Sequence, residues 1–223
     1  VADNPQDFST GTLYALQITG VPTLDNSVNP IPTTGSWVQV DNTTRNNRNN
    51  AISLANAAGA TDFEKVEDVE INPVTGEVYF TSKDGGVPGG VYRFADDGST
   101  ISNFAVHVAN NTNYTLEHAG GTQTNASLSS GCDNLTFDDK GNLYLLQDGG
   151  RDHVWFFRHD HTMSNQKVAV FMRSPSGSEP TGMTFSPDYK FAFISIQHPG
   201  SSNTQQDILG NTYDWNQSTT IVI

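Results

Sequence analysis

Apolar and polar residues alternate along this chain in short runs, each closed by a cluster of Gly, Asn, Asp, Ser or Pro. A period of two is the signature of strands, and those clusters are the signature of turns. One such strand–turn–strand segment occurs three times: Glu67 to Phe80, Asp133 to Leu145, and Thr181 to Phe193. Between its two strands each copy carries a tight polar turn: Asn72-Pro73-Val74-Thr75-Gly76, Asp138-Asp139-Lys140-Gly141, or Ser186-Pro187-Asp188. Self-similarity of this kind predicts stacked β units, most often the blades of a propeller.

The pattern between the copies fills in the blades. Gly11 to Ile18 alternates, and Trp37-Val38-Gln39-Val40 supplies an outer strand after a loop rich in Pro, Asn and Thr. Val69 and Ile71, then Val78 and Phe80, Val91 to Phe94, and Phe104 to Val108 read as four strands in order. Leu135 and Phe137, Leu143 and Leu145, Val154 to Phe157, and Val168 to Phe171 repeat that sequence of strands. The last copy runs on through Ile196, and Thr219 to Ile223 ends the chain as a strand. The expected fold is therefore all-β: about four propeller blades near 11–45, 67–108, 133–172 and 181–223, in one propeller portion over 1–223. That is fewer blades than a wide-mouthed propeller needs, so an incomplete or larger propeller is expected. Residues 109–131, dominated by Asn, Thr and Gly, read as a long insertion loop. Residues 42–50 read as polar and irregular, and a short helix is expected near 51–59, stopped by Gly59.

Charge narrows the function. The net charge is −13, from 24 acidic against 11 basic residues. A nucleic-acid partner is excluded, because phosphate backbones require clustered Lys and Arg. A single cysteine, Cys132, allows no internal disulfide and no Cys-based zinc site, and as a small apolar residue it is expected to fill core space. No apolar run is long enough to span a membrane. There is no glycine-rich phosphate loop ahead of a helix and no Gly-x-Ser-x-Gly elbow.

The repeats gather acids at one end of their strands. Glu67-Asp68 and Glu70 open the first copy, Asp133 opens the second, and Glu179 stands two residues ahead of the third. Asp148 follows the second strand of its blade, where His198 stands in the last. Carboxylates brought together in this way repel unless a cation neutralises them, and hard cations such as calcium prefer oxygen ligands. For each acid alone, capping of a turn is an equal alternative. For His198 a satisfied strand-end imidazole is the better reading. Lys65 and Arg151 are candidate anion contacts, or solvated surface charges.

Ala57 to Glu70, Asp133 to Phe137 with Gly141 to Tyr144, and Glu179 to Asp188 with Ile196 to Gly200 together resemble the PhoX-type alkaline phosphatases, a secreted bacterial propeller family. The resemblance covers most of 55–223 and lies in the C-terminal part of that family. It implies a phosphomonoesterase acting on extracellular phosphate esters, with calcium and iron at the propeller mouth and an extracellular or periplasmic location. By position it makes Glu67, Asp133 and Asp148 calcium ligands, Glu179 a further metal ligand and Lys65 a phosphate contact. The family usually has Arg-Pro where this chain has Lys65-Val66, which replaces a bidentate phosphate grip by a point charge. Family members are longer, with iron ligands in an N-terminal region, so an N-terminal portion is expected to be missing here. The rival reading is a non-catalytic, calcium-stabilised propeller that binds other subunits of an extracellular assembly. A weaker third reading is a one-calcium lactonase.

Overall fold

A computed structural model describes residues 11–83, 86–117, 123–148 and 152–223. The chain begins with β1 (Leu13–Ile18), β2 (Gly35–Val40), α1 (Arg45–Asn49) and α2 (Ala51–Ala57). It continues through β3 (Val66–Ile71), β4 (Val78–Ser82), β5 (Gly89–Asp96) and β6 (Thr100–Ala109). Then come β7 (Thr112–Glu117), β8 (Gln123–Leu128), β9 (Cys132–Phe137), β10 (Leu143–Gln147), β11 (His153–Phe157) and β12 (Val168–Arg173). It ends with β13 (Glu179–Phe185), β14 (Ala192–Gln197), β15 (Thr204–Gln206), β16 (Thr212–Asp214) and β17 (Thr219–Val222). The architecture is all-β, and among the described residues helix is confined to 45–57. Among the described residues no helix is long and apolar enough to cross a membrane.

The chain divides into two compact units, and the boundary falls within β5 and β6. The first unit holds residues up to Glu64 together with Arg93–Ala105. There β1 pairs antiparallel with β2, which continues onto the start of β6 through Gly35↔Ile101. Trp37 stacks edge-on against Phe94 and its indole N–H donates to Asp96. Thr61 ties the end of β1 down: its hydroxyl accepts from Ile18 N–H and donates to the Val21 carbonyl. The structure corrects the irregular reading of 42–50. Thr44 accepts from the Asn47 N–H as an N-cap, so a first helical turn forms there despite its polar composition.

The second unit, Lys65–Tyr92 with Val106–Ile223, contains the antiparallel pair β3–β4 and two antiparallel runs, β12-β11-β10-β9 and β13-β14-β17. β10 explains the packing. Its residues are all buried, and alternation sends Leu143 and Leu145 into one core and Tyr144 and Leu146 into another. The first core includes Trp155, Phe157, Leu135 and Val91; the second includes Met183, Ile194 and Ile196. A sheet covered on both faces in this way holds its strand ends rigidly, and those ends carry the acids.

Within the expected insertion at 109–131, β7 pairs antiparallel with β8, and β7 joins β12 in parallel through Val168↔Leu116. Tyr114 and Leu116 are buried there, so the insertion anchors itself in the core of the unit. The inner strand β3 is not a core strand, because Val69 and Ile71 are 59% and 60% exposed. No residue of β3 is buried on either face, and its register against β4 shifts between Val66 and Val69.

Candidate metal centre

Each carboxylate of the site sits at a strand end. Asp133 is the second residue of β9, Asp148 directly follows β10, and Glu179 opens β13. β9 and β10 are hydrogen-bonded neighbours, and Glu179 is fixed opposite Gln197 in the β13–β14 pair. One oxygen from each of Asp133, Asp148 and Glu179 lies within 4.8 Å of the others. Asp133 is buried, while Asp148 and Glu179 are half-buried.

Backbone contacts hold the group. Gly131, at φ +89°, donates its N–H to the Lys83 carbonyl and accepts from the Asp148 N–H. A Cβ at that position would collide with the Asp148 carbonyl, so glycine is required on steric as well as conformational grounds. The Asp133 carbonyl accepts from the Thr81 hydroxyl, which in turn accepts from the Asp68 N–H. The Asp68 carboxylate accepts from the Leu135 N–H, and Asn134 accepts from the Gly182 N–H. Strands β3, β4, β9 and β13 are thereby pinned around the site.

A cation already lies in the group. The Lys83 ammonium donates to Asp148 at 2.7 Å and to Asp133 at 3.2 Å. Its pKa is raised, first by the hydrogen bond to Asp148 and then by Asp133, against the opposing effect of burial. Glu179 is held above the usual carboxylate range, chiefly by burial and by the negative charges of Asp133 and Asp148, and the Gln197 amide works the other way. A single ammonium cannot neutralise three carboxylates, and the remaining charge favours a proton or a further cation.

The donor set fits a hard divalent ion. Calcium binds carboxylate oxygens at about 2.3–2.6 Å, so two ligands on opposite sides of one ion are about 4.8 Å apart. One oxygen from each of Asp133, Asp148 and Glu179 lies within that distance of the others. Asp133, Asp148 and Glu179 are thus the acids brought together, and Glu67 is not among them. Asp68 and not Glu67 reaches toward β9, while Glu67 lies exposed on β3. Lys65 is exposed, and its carbonyl accepts from the Lys83 N–H. His198 donates its N–H to the Ser218 hydroxyl at the end of β14, and Cys132 is fully buried with its thiol pushed up to about 12 by desolvation. Arg151 lies outside the described residues.

Lys83 was not legible as a site residue. The available signal was positional: Lys83, Asp148 and His198 each directly follow the second strand of their repeat.

A cluster of oxygen donors at the strand ends of an all-β fold is a candidate site for a divalent cation. The family model described as alkaline phosphatase PhoX matches residues 2–200, and the chain belongs to that family. Among solved structures it is similar to PhoX of Pseudomonas fluorescens in complex with vanadate, a transition state analogue. The identity is 20% and the TM-score 0.61, over 95% of this chain and 44% of that one. At this identity the likeness is one of fold, and the chain spans less than half the length of that relative. No curated protein matches the chain.

Proposed function

We propose that the chain carries part of the metal site of a calcium-dependent phosphomonoesterase, with iron as a second ion, in the C-terminal propeller part of the PhoX pattern. The observation that carries this reading is the convergence of Asp133, Asp148 and Glu179 from three strand ends. The two-sided burial of β10 supports the propeller, because stacked blades cover each other's faces. Family membership supports the phosphatase chemistry and an extracellular or periplasmic location.

In this reading Asp133, Asp148 and Glu179 hold calcium, and Glu67, exposed on β3, stays outside the ligand set. Bound there, the metal polarises phosphoryl oxygens and offsets the charge that develops in an in-line displacement. Lys65 contacts the phosphate as a point charge. Lys83 keeps Asp133 and Asp148 aimed at a common point. The reaction adds water to phosphorus, breaks the ester P–O bond and returns a proton to the departing alcohol.

The test is release of p-nitrophenol from p-nitrophenyl phosphate by the full chain in calcium, before and after chelation. Calcium-dependent turnover that is lost in Asp133→Asn supports the reading. A second reading is favoured by the Lys83 ammonium: the triad is an ion-pair network inside a non-catalytic propeller that binds other subunits. A melting temperature indifferent to calcium and to chelator, in the wild type and in Asp133→Asn alike, would favour that alternative.

A further inference from the structure

Lys83 is placed more firmly than the neutralising of a charge requires. Its N–H donates to the Lys65 carbonyl and its carbonyl accepts from the Gly131 N–H, so its backbone is held on both sides. It directly follows β4, the place that Asp148 holds after β10. A lysine ammonium has three donors and no acceptor. One donor goes to Asp148 at 2.7 Å and another to Asp133 at 3.2 Å. Among the described residues the third has no protein acceptor. The Lys83 side chain is 30% exposed, against 9% for that of Asp133, so it reaches the buried acid from the solvent side.

Three carboxylates and one ammonium leave two negative charges in the cluster, and one divalent ion matches them. Without that ion the cluster repels an oxyanion; with it the repulsion is gone and a charged donor stands beside two of the carboxylates. A donor fixed before the anion arrives costs no ordering on binding. Lysine supplies it as a compact point charge, suited to phosphate. We propose that Lys83 is an oxyanion contact: held by Asp148 and Asp133, it donates its remaining N–H to a phosphoryl oxygen of a phosphate monoester drawn to the cation at the triad. This rests on the phosphatase reading, and it adds to Lys65 a second contact whose position the fold fixes. It also orders the events, with calcium bound before the anion.

Calorimetry on the full chain reads the two affinities separately: calcium alone, then inorganic phosphate in calcium. The wild type should bind phosphate in calcium and not in chelator. Lys83→Met should bind calcium at least as tightly as the wild type and phosphate at least about tenfold more weakly, the scale of one charge-assisted hydrogen bond. Lys83→Arg, which keeps the charge and the donors, should recover most of that loss. A wild type that binds no phosphate in calcium overturns the inference, as does a phosphate affinity that Lys83→Met leaves unchanged. Calcium and phosphate binding lost together in Lys83→Met, with no recovery in Lys83→Arg, also overturns it, because Lys83 then acts only through the carboxylates. Should Lys83→Met fail to fold, Lys83→Gln carries the same comparison. Turnover of p-nitrophenyl phosphate with a phosphate affinity indifferent to Lys83 overturns this inference alone. Phosphate binding that depends on Lys83, without turnover, overturns the phosphatase reading alone and leaves Lys83 as the contact of an anion-binding site.

Discussion

His161 shows how a single buried side chain can set a pH response. It lies 5.0 Å from Phe157 and 5.2 Å from His107, ring centre to ring centre. The Lys167 N–H donates to its Nδ1, and its Nε2 faces the His107 carbonyl, so the neutral Nε2–H tautomer satisfies both. Burial lowers its pKa, against smaller opposing effects of the His107 carbonyl and Asp160. A lowered imidazole pKa means the folded state binds the proton less readily than the unfolded one. The stability it contributes is complete above about pH 6.5 and is lost as pH falls through the folded value. Urea midpoints at pH 7.5 and 5.5 should therefore fall with acid in the wild type, by at most about 1.4 kcal/mol per pH unit. His161→Gln should flatten that slope. An unchanged slope would assign the acid sensitivity to another group.

Strand ends are where the site is made, and Gly131 is the joint between them. It bonds the backbones of Lys83 and Asp148 in one residue, in a left-handed conformation and with no room for a side chain. Gly76, in the β3–β4 turn, has φ +72° and open space around its Cβ position. The pair separates two costs. Gly76→Ala should lose only the conformational part, about 1–2 kcal/mol. Gly131→Ala should lose that plus the displacement of Asp148, at least about 1 kcal/mol more, and the melting response to calcium with it. Equal losses in thermal unfolding would mean that Gly131 does not position the site. The elements themselves were legible to different degrees. Leu143 and Leu145 announce β10 because a core strand must alternate. The β7–β8 pair was hidden because Tyr114 and Leu116 are outnumbered by Asn, Thr and Gly, residues equally at home in a loop.

Across the whole molecule the excess of acid is the governing term. With a net charge of −13, gathering three carboxylates in one place is costly, and Lys83 between two of them offsets part of that cost. Lys83→Met removes that ammonium without removing much volume. In chelator the variant should melt below the wild type, by about 1–3 kcal/mol for a half-buried ion pair. In calcium it should gain more than the wild type does, because the metal no longer competes with an internal cation. A variant that is destabilised equally with and without calcium would leave Lys83 as a plain structural ion pair.

The sequence alone determined the strands, their order in repeats and the acids that open them, since alternation, turn residues and self-similarity are local properties of the chain. It also carried the family resemblance. Which acids meet was a matter of tertiary structure. The resemblance pointed to Glu67, Asp133 and Asp148 with Glu179 as a further ligand; in the fold Asp133, Asp148 and Glu179 come together, while Asp68 and not Glu67 reaches β9. Lys83 became part of the site for the same reason. An ion pair between residues 50 positions apart depends on how separate strands are stacked, and no period along the chain encodes that distance.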